Sequence, residues 1–144
     1  MIYRMFDKLA KYKNSGSFYF ERGQSLRSLS RDVPELPGVY VISTQVPRGE
    51  KVVYVGKSGS MLKDGTFGDQ RLRGRINNKH NSNETRQFYF SRKLLEDSNI
   101  ICLKISWYVT FDENNQEIPA FVEAQLLQSF FANTGRLPEW NEKF

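Results

Sequence analysis

The sequence predicts an α+β domain: a small, mostly antiparallel three-stranded sheet flanked by helices. Two runs rich in β-branched and aromatic residues, Gly38–Thr44 and Lys51–Val55, flank Gln45-Val46-Pro47-Arg48-Gly49, whose proline and glycine suit a hairpin loop. A third such run, Ile100–Phe111, is separated from the hairpin by two helical patterns and followed by another, Glu117–Ala132. At 144 residues one compact domain is expected, and 11 Phe with 7 Tyr supply ring volume for its core.

Residues 1–36 read as a lead-in that packs on the domain formed by residues 37–144. Within it, Met5–Tyr12 has a helical pattern, Asn14-Ser15-Gly16 breaks it, and Phe18–Phe20 suits a brief strand. Ser25–Ser30 adds a helical turn before Pro34 and Pro37 impose an extended approach. If the hairpin loop centres on Pro47, Tyr40 lies opposite Tyr54, and strand alternation puts both hydroxyls on one face. Gly56–Gly68 is loop-like. Asp69 suits an N-cap for a helix over Arg71–Lys79, and Glu84–Glu96 forms a second helix. Asp112–Gln116 is a polar turn, and Asn133-Thr134-Gly135 ends the last helix.

The formal net charge is only +5, but its placement is informative. Arg71, Arg73, Arg75, Lys79 and His80 fall together, with Arg86, Arg92 and Lys93 close behind and Phe88, Tyr89 and Phe90 interleaved. Such a stretch suits either phosphate contacts beside stacking surfaces or an ordinary solvated helix face. No apolar run approaches membrane-spanning length, and Met1-Ile2-Tyr3-Arg4 lacks a secretory apolar stretch, so a cytoplasmic protein is expected. The lone Cys102 has no partner for a disulfide or a zinc set and is expected to be a small core residue. Gly56-Lys57-Ser58 lacks the earlier glycine of a phosphate-binding loop, since position 51 is Lys51. His80 is the only histidine and offers no Ser-His or Cys-His pair.

In the last helix, a rotation of about 100° per residue places Glu123 between Leu126, Leu127 and Phe130. A carboxylate in an apolar stripe is unfavourable unless something cationic compensates it. Two readings fit: a salt bridge to a core-facing arginine, or a metal ligand or catalytic acid. Asp112 with Glu123-Ala124-Gln125 also suggests a degenerate form of another common nuclease core. That core needs its second element on a strand, and Glu117–Ala132 has a helical period.

Leu36-Pro37-Gly38-Val39-Tyr40 and Val53-Tyr54-Val55-Gly56-Lys57 carry Gly-Val-Tyr and Tyr-Val-Gly in that order. Leu72-Arg73-Gly74-Arg75, Glu123 and Pro138-Glu139-Trp140-Asn141 follow. Together they resemble the GIY-YIG nuclease superfamily, both its small endonucleases and the N-terminal nuclease domain of the bacterial excision-repair incision enzyme. The resemblance covers Pro37 to Asn141. The Leu-x-x-Arg pattern fits in two registers, ending on Arg75 or on Arg71.

The resemblance implies an endonuclease that hydrolyses DNA phosphodiester bonds with one divalent ion, Mg²⁺ or Mn²⁺, held by Glu123. It implies Tyr40 as general base, with Tyr54 and Lys57 assisting in a cationic site that lowers the phenol pKa. Arg75 would clamp the scissile phosphate, Asn141 would brace the site, and Gly38 and Gly56 would give close backbone access or turn geometry. Arg71, Arg73, Lys79 and His80 would contact the DNA backbone. A double-strand cut would call for a homodimer or a partner protein. The alternative is a non-catalytic DNA-binding module that retains the nuclease fold.

Overall fold

The computed structural model describes residues 2–68, 71–81 and 83–144. In chain order its elements are α1 (Ile2–Leu9), β1 (Ser15–Phe20), α2 (Leu26–Leu29), β2 (Gly38–Val46) and β3 (Gly49–Ser58). They continue with α3 (Leu72–Asn77), α4 (Arg86–Glu96), β4 (Cys102–Val109) and α5 (Pro119–Thr134). The strands form one antiparallel sheet ordered β1-β4-β2-β3. The α+β class stands, and the strand count is corrected from three to four. The added strand comes from the lead-in and runs along β4 from Ser15↔Tyr108 to Phe20↔Leu103. Ser15-Gly16-Ser17 has little intrinsic β preference, so only Phe18–Phe20 was legible. Backbone pairing at a half-exposed edge completes the strand.

The expected cap at Asp69 lies outside the described residues. Helix α3 begins at Leu72 with Arg71 in the cap position and no side-chain cap. Thr85 caps α4 by accepting from the Phe88 amide at 3.3 Å. No helix among the described residues is long and apolar enough to cross a membrane. Cys102 opens β4 half-buried, less enclosed than a core residue.

The sheet separates two cores. One face packs Tyr40, Ile42, Val53, Leu103, Ile105 and Val109 against Leu72 and Ile76 of α3, Tyr89 and Phe90 of α4, and Trp140. The other packs Val39, Val41, Val52 and Val55 against Val122, Leu126 and Leu127 of α5 and Leu9 of α1.

The hairpin register differs from the expected one in a way that preserves its main consequence. Val46 pairs with Gly49, so the turn is a two-residue Pro47-Arg48 loop rather than one centred on Pro47. Continued regularly, that register would set Tyr40 opposite Val55 and send Tyr54 to the other face. An irregularity intervenes: Ser43 pairs with Val52 but Ile42 pairs with Tyr54, leaving Val53 as the extra residue of a β-bulge. Tyr40 then faces Gly56, and Tyr54, two residues back, shares its face. Val53 and Tyr54 consequently lie in the same core, although they are consecutive.

Candidate functional site

Tyr40 and Tyr54 sit with ring centroids 5.9 Å apart, as strand alternation predicted. Tyr40 is 1% exposed, and its hydroxyl has no hydrogen-bond partner in the structure. Tyr54 is half-buried. A Cβ on Gly56 would lie 2.5 Å from Tyr40 Cζ and 2.7 Å from Tyr54 Cε2, so the missing side chain is what lets the rings cross β3. At Gly38 a Cβ would lie 2.9 Å from Leu72 Cδ1 and would also strike the Tyr108 carbonyl. Both glycines permit close approach of neighbouring protein groups. The Tyr40 phenol is pushed up to about 12 by burial, with Arg86 and then Arg75 opposing and the adjacent Tyr54 adding to the rise. In the protein alone, loss of hydration outweighs the nearby cations, whereas the lowering the resemblance implies belongs to a site that also holds a metal ion.

The residue that sequence reasoning passed over is Arg86. It is 0% exposed, at the first position of α4, and no carboxylate pairs with it among the described residues. Its Nε donates to His80 Nδ1 at 3.1 Å, one terminal nitrogen to the Arg75 carbonyl at 2.6 Å, and the other to the Tyr54 hydroxyl at 3.3 Å. The guanidinium carbon lies 5.3 Å from the Tyr40 ring centroid and 5.2 Å from that of Tyr54, within cation–π range. The signal was present: Arg86, Tyr89 and Phe90 share one face at helical spacing, which puts a charge on an apolar stripe, as at Glu123.

His80 belongs to this cluster and is half-buried. Its ring lies 3.7 Å from Tyr89 and 5.1 Å from Tyr54, centroid to centroid, tilted against both. Burial first, then Arg86 and Arg75, push its pKa down to about 4, against smaller opposing effects from the Trp140 backbone and Glu84. With its pKa so lowered, His80 accepts the Arg86 Nε–H at Nδ1 as a neutral ring.

Arg75 is half-buried, and its side chain donates to the Lys79 carbonyl at 2.9 Å. Its charge acts on Tyr40, His80 and Glu123. Arg71 is not among the charges that act on these groups. Glu123 is half-buried on α5, with no ion pair or hydrogen bond among the described residues. Burial raises its carboxyl above the ordinary range, and Lys57 and Arg75 partly counter the rise. The salt-bridge reading of Glu123 therefore loses its partner. Asn141 grips the free edge of β3: its Oδ1 accepts from the Val55 amide at 3.0 Å and its Nδ2 donates to the Val55 carbonyl at 2.9 Å. The Trp140 amide donates to the Val53 carbonyl at 2.8 Å, so the bulge is held from the same side. No family model, curated protein or solved structure matches this chain.

The wider basic stretch is only partly available to a ligand. Arg92 pairs with Glu84 at 2.7 Å and Glu96 at 2.9 Å, and Arg73 with Glu35 at 3.7 Å. Tyr89 and Phe90 are core residues, leaving Phe88, 59% exposed, as the aromatic that reaches solvent. Lys79 is exposed beside the cluster, and Arg71 is half-buried next to it. Ser58 adds a second buried hydroxyl without a partner, beside Lys57 on β3.

Proposed function

We propose that this chain is a divalent-metal-dependent endonuclease that hydrolyses DNA phosphodiester bonds at the β3 edge, in the manner of the GIY-YIG nucleases it resembles. The observation that carries this reading is the half-buried, unpartnered Glu123 carboxylate, linked through Arg75 to the Tyr40–Tyr54 pair. A glutamate placed only for packing would have a cation or a donor against it.

The donor chemistry at Glu123 fits a hard cation: a carboxylate oxygen in a half-buried position, with no protein group satisfying it. Among the described residues no group of three His, Cys, Asp or Glu converges. An ion held by Glu123 would therefore keep most of its waters, as Mg²⁺ prefers. Bound there, Mg²⁺ or Mn²⁺ would supply positive charge to the leaving 3′-oxygen.

The remaining work falls to the chain. Arg75 keeps part of its fork free to hold the scissile phosphate in two-point fashion. Lys57 adds charge beside Glu123 and helps neutralise the phosphoryl oxygens. The phenol pair supplies the proton acceptor. Tyr54 lines a cavity of about 200 Å³ with His80, Trp140 and Asn141, whereas the Tyr40 hydroxyl is sealed. That contrast moves the acceptor role from Tyr40 to Tyr54 and leaves Tyr40 to pack beneath it. Asn141 fixes the strand on which Tyr54 and Lys57 ride.

The test is cleavage of supercoiled plasmid with Mg²⁺ or Mn²⁺, with the ends mapped. Nicking or cutting is expected, and Glu123→Ala should abolish it while circular dichroism and Tm are retained. Metal-independent cutting, or full activity in Glu123→Ala, would overturn the proposal. DNA binding without cleavage under any divalent ion would leave a non-catalytic binding module.

A further inference from the structure

A fully buried arginine ordinarily has a carboxylate beside it, because an isolated charge is strongly disfavoured away from water. Among the described residues Arg86 instead has only neutral acceptors: a phenol, an imidazole nitrogen and a backbone carbonyl. Two phenol rings lie within cation–π range of it. The one ionisable acceptor oxygen in its shell is the hydroxyl of Tyr54, which also opens on the cavity beside His80.

We infer that Arg86 is a positioning residue for Tyr54: it occupies a lone pair of the hydroxyl, turns the hydroxyl proton outward, and supplies the buried positive charge that a Tyr54 phenolate lies against. The inference rests on the nuclease reading for its catalytic consequence, but not for its structural one. His80 completes the arrangement. It accepts from Arg86 Nε, so the guanidinium cannot rotate away from Tyr54 without losing that bond. The helix supports it too, since the Arg86 amide donates to the Asn78 carbonyl at 2.9 Å. Among the described residues no other element offers Arg86 an acid: Glu84, the nearest carboxylate in sequence, is committed to Arg92 and Asn81.

His80 is the only histidine, so its ring protons give one NMR signal that reports on Arg86 whether or not the protein cuts DNA. The charged and titratable groups around it are Arg75 on α3, Arg86 and Tyr89 on α4, Tyr54 on β3, Glu84 before α4, and Glu142 and Lys143 on the cavity wall. In wild type the signal should titrate at about pH 4. In Arg86→Met, which removes the charge and the Nε donor, the midpoint should move up toward 6.5, the ordinary histidine value. An unchanged midpoint in a folded Arg86→Met protein would overturn the placement.

The catalytic arm uses Arg86→Lys, which keeps the charge and loses the fork. Single-turnover cleavage should fall about 10- to 100-fold, the loss of one charge-assisted hydrogen bond, while the Kd for duplex measured in Ca²⁺ stays unchanged. Wild-type turnover in Arg86→Lys, or a loss explained wholly by weaker DNA binding, would overturn the positioning role. If Arg86→Met does not fold, the Lys variant decides through both its His80 titration and its turnover. A wild-type protein that never cuts DNA would sink the nuclease reading alone, and the His80 titration would still test how Arg86 is held.

Discussion

The two faces of the sheet are built from different chemistry. On the α5 side every fully buried member of the core except Tyr12 is aliphatic, and the Tyr12 hydroxyl reaches Glu117 at 2.6 Å. On the α3–α4 side five of the fourteen buried members are aromatic, and the core encloses the Arg86 guanidinium and a Tyr40 hydroxyl with no hydrogen-bond partner among the described residues. The first face is complete once packed. The second encloses a charge whose hydrogen bonds go to neutral groups, and a hydroxyl with no partner among the described residues. Glu123 is the exception that joins them: it stands on the aliphatic side's helix, yet its charge environment is set by Lys57 and Arg75.

The largest expected contrast is in turnover. Tyr54→Phe should lower single-turnover cleavage by about 10²–10⁴, the usual loss of a general base. Tyr40→Phe should cost less in rate and be neutral or slightly stabilising, because it removes a buried hydroxyl that has no partner. If Tyr40→Phe proves the deader enzyme, the sealed phenol is the base and the two tyrosines of this face exchange roles.

Next is Leu126→Ala on the aliphatic face. Denaturant unfolding should show a loss of about 2–5 kcal/mol, with turnover unchanged under conditions where the variant is folded. A turnover loss there at full occupancy of the folded state would erase the separation between the faces.

A smaller effect is expected at Glu123. Its folded carboxyl titrates above the ordinary value of 4.5, so the folded chain binds the proton more tightly than the unfolded one. The associated penalty is absent below pH 4.5 and develops as pH rises through the folded value. Glu123→Gln should therefore show a slightly higher Tm at neutral pH and a flatter stability profile on the acid side. A lower Tm at neutral pH would mean that the carboxylate has a partner after all.

The smallest is the acid response of His80. Its pKa is about 4 in the folded chain against 6.5 ordinarily, so protons favour the unfolded state. Its contribution is complete above pH 6.5 and is lost as pH falls through about 4. His80→Gln should lose less stability than wild type over that interval, read as the difference between the two Tm–pH curves.

The legible parts of the fold were those with a strong local pattern. The hairpin, the third β run and the last helix all formed within a few residues of their expected bounds. The fourth strand was not legible, because Ser15-Gly16-Ser17 pairs through backbone and carries no alternating apolar signal. At the site, Glu123 stood out because a charge interrupts an apolar stripe. Arg86 interrupts one equally, but a surrounding run of basic residues made it look like part of a solvated face. The shared orientation of the tyrosines was anticipated by an incorrect register that happened to have the correct parity. Only coordinates could show that a bulge restores it.

Val53 separates the hairpin tip from Tyr54. Beyond the bulge the strand is aligned by its pairing with β2 and by Trp140 and Asn141, which hold Val53 and Val55 directly. The tip is therefore the natural place to graft a peptide, an affinity handle or a targeting loop. A lengthened turn would add residues at the far end of the ribbon while the tyrosines stayed where the C-terminal segment pins them.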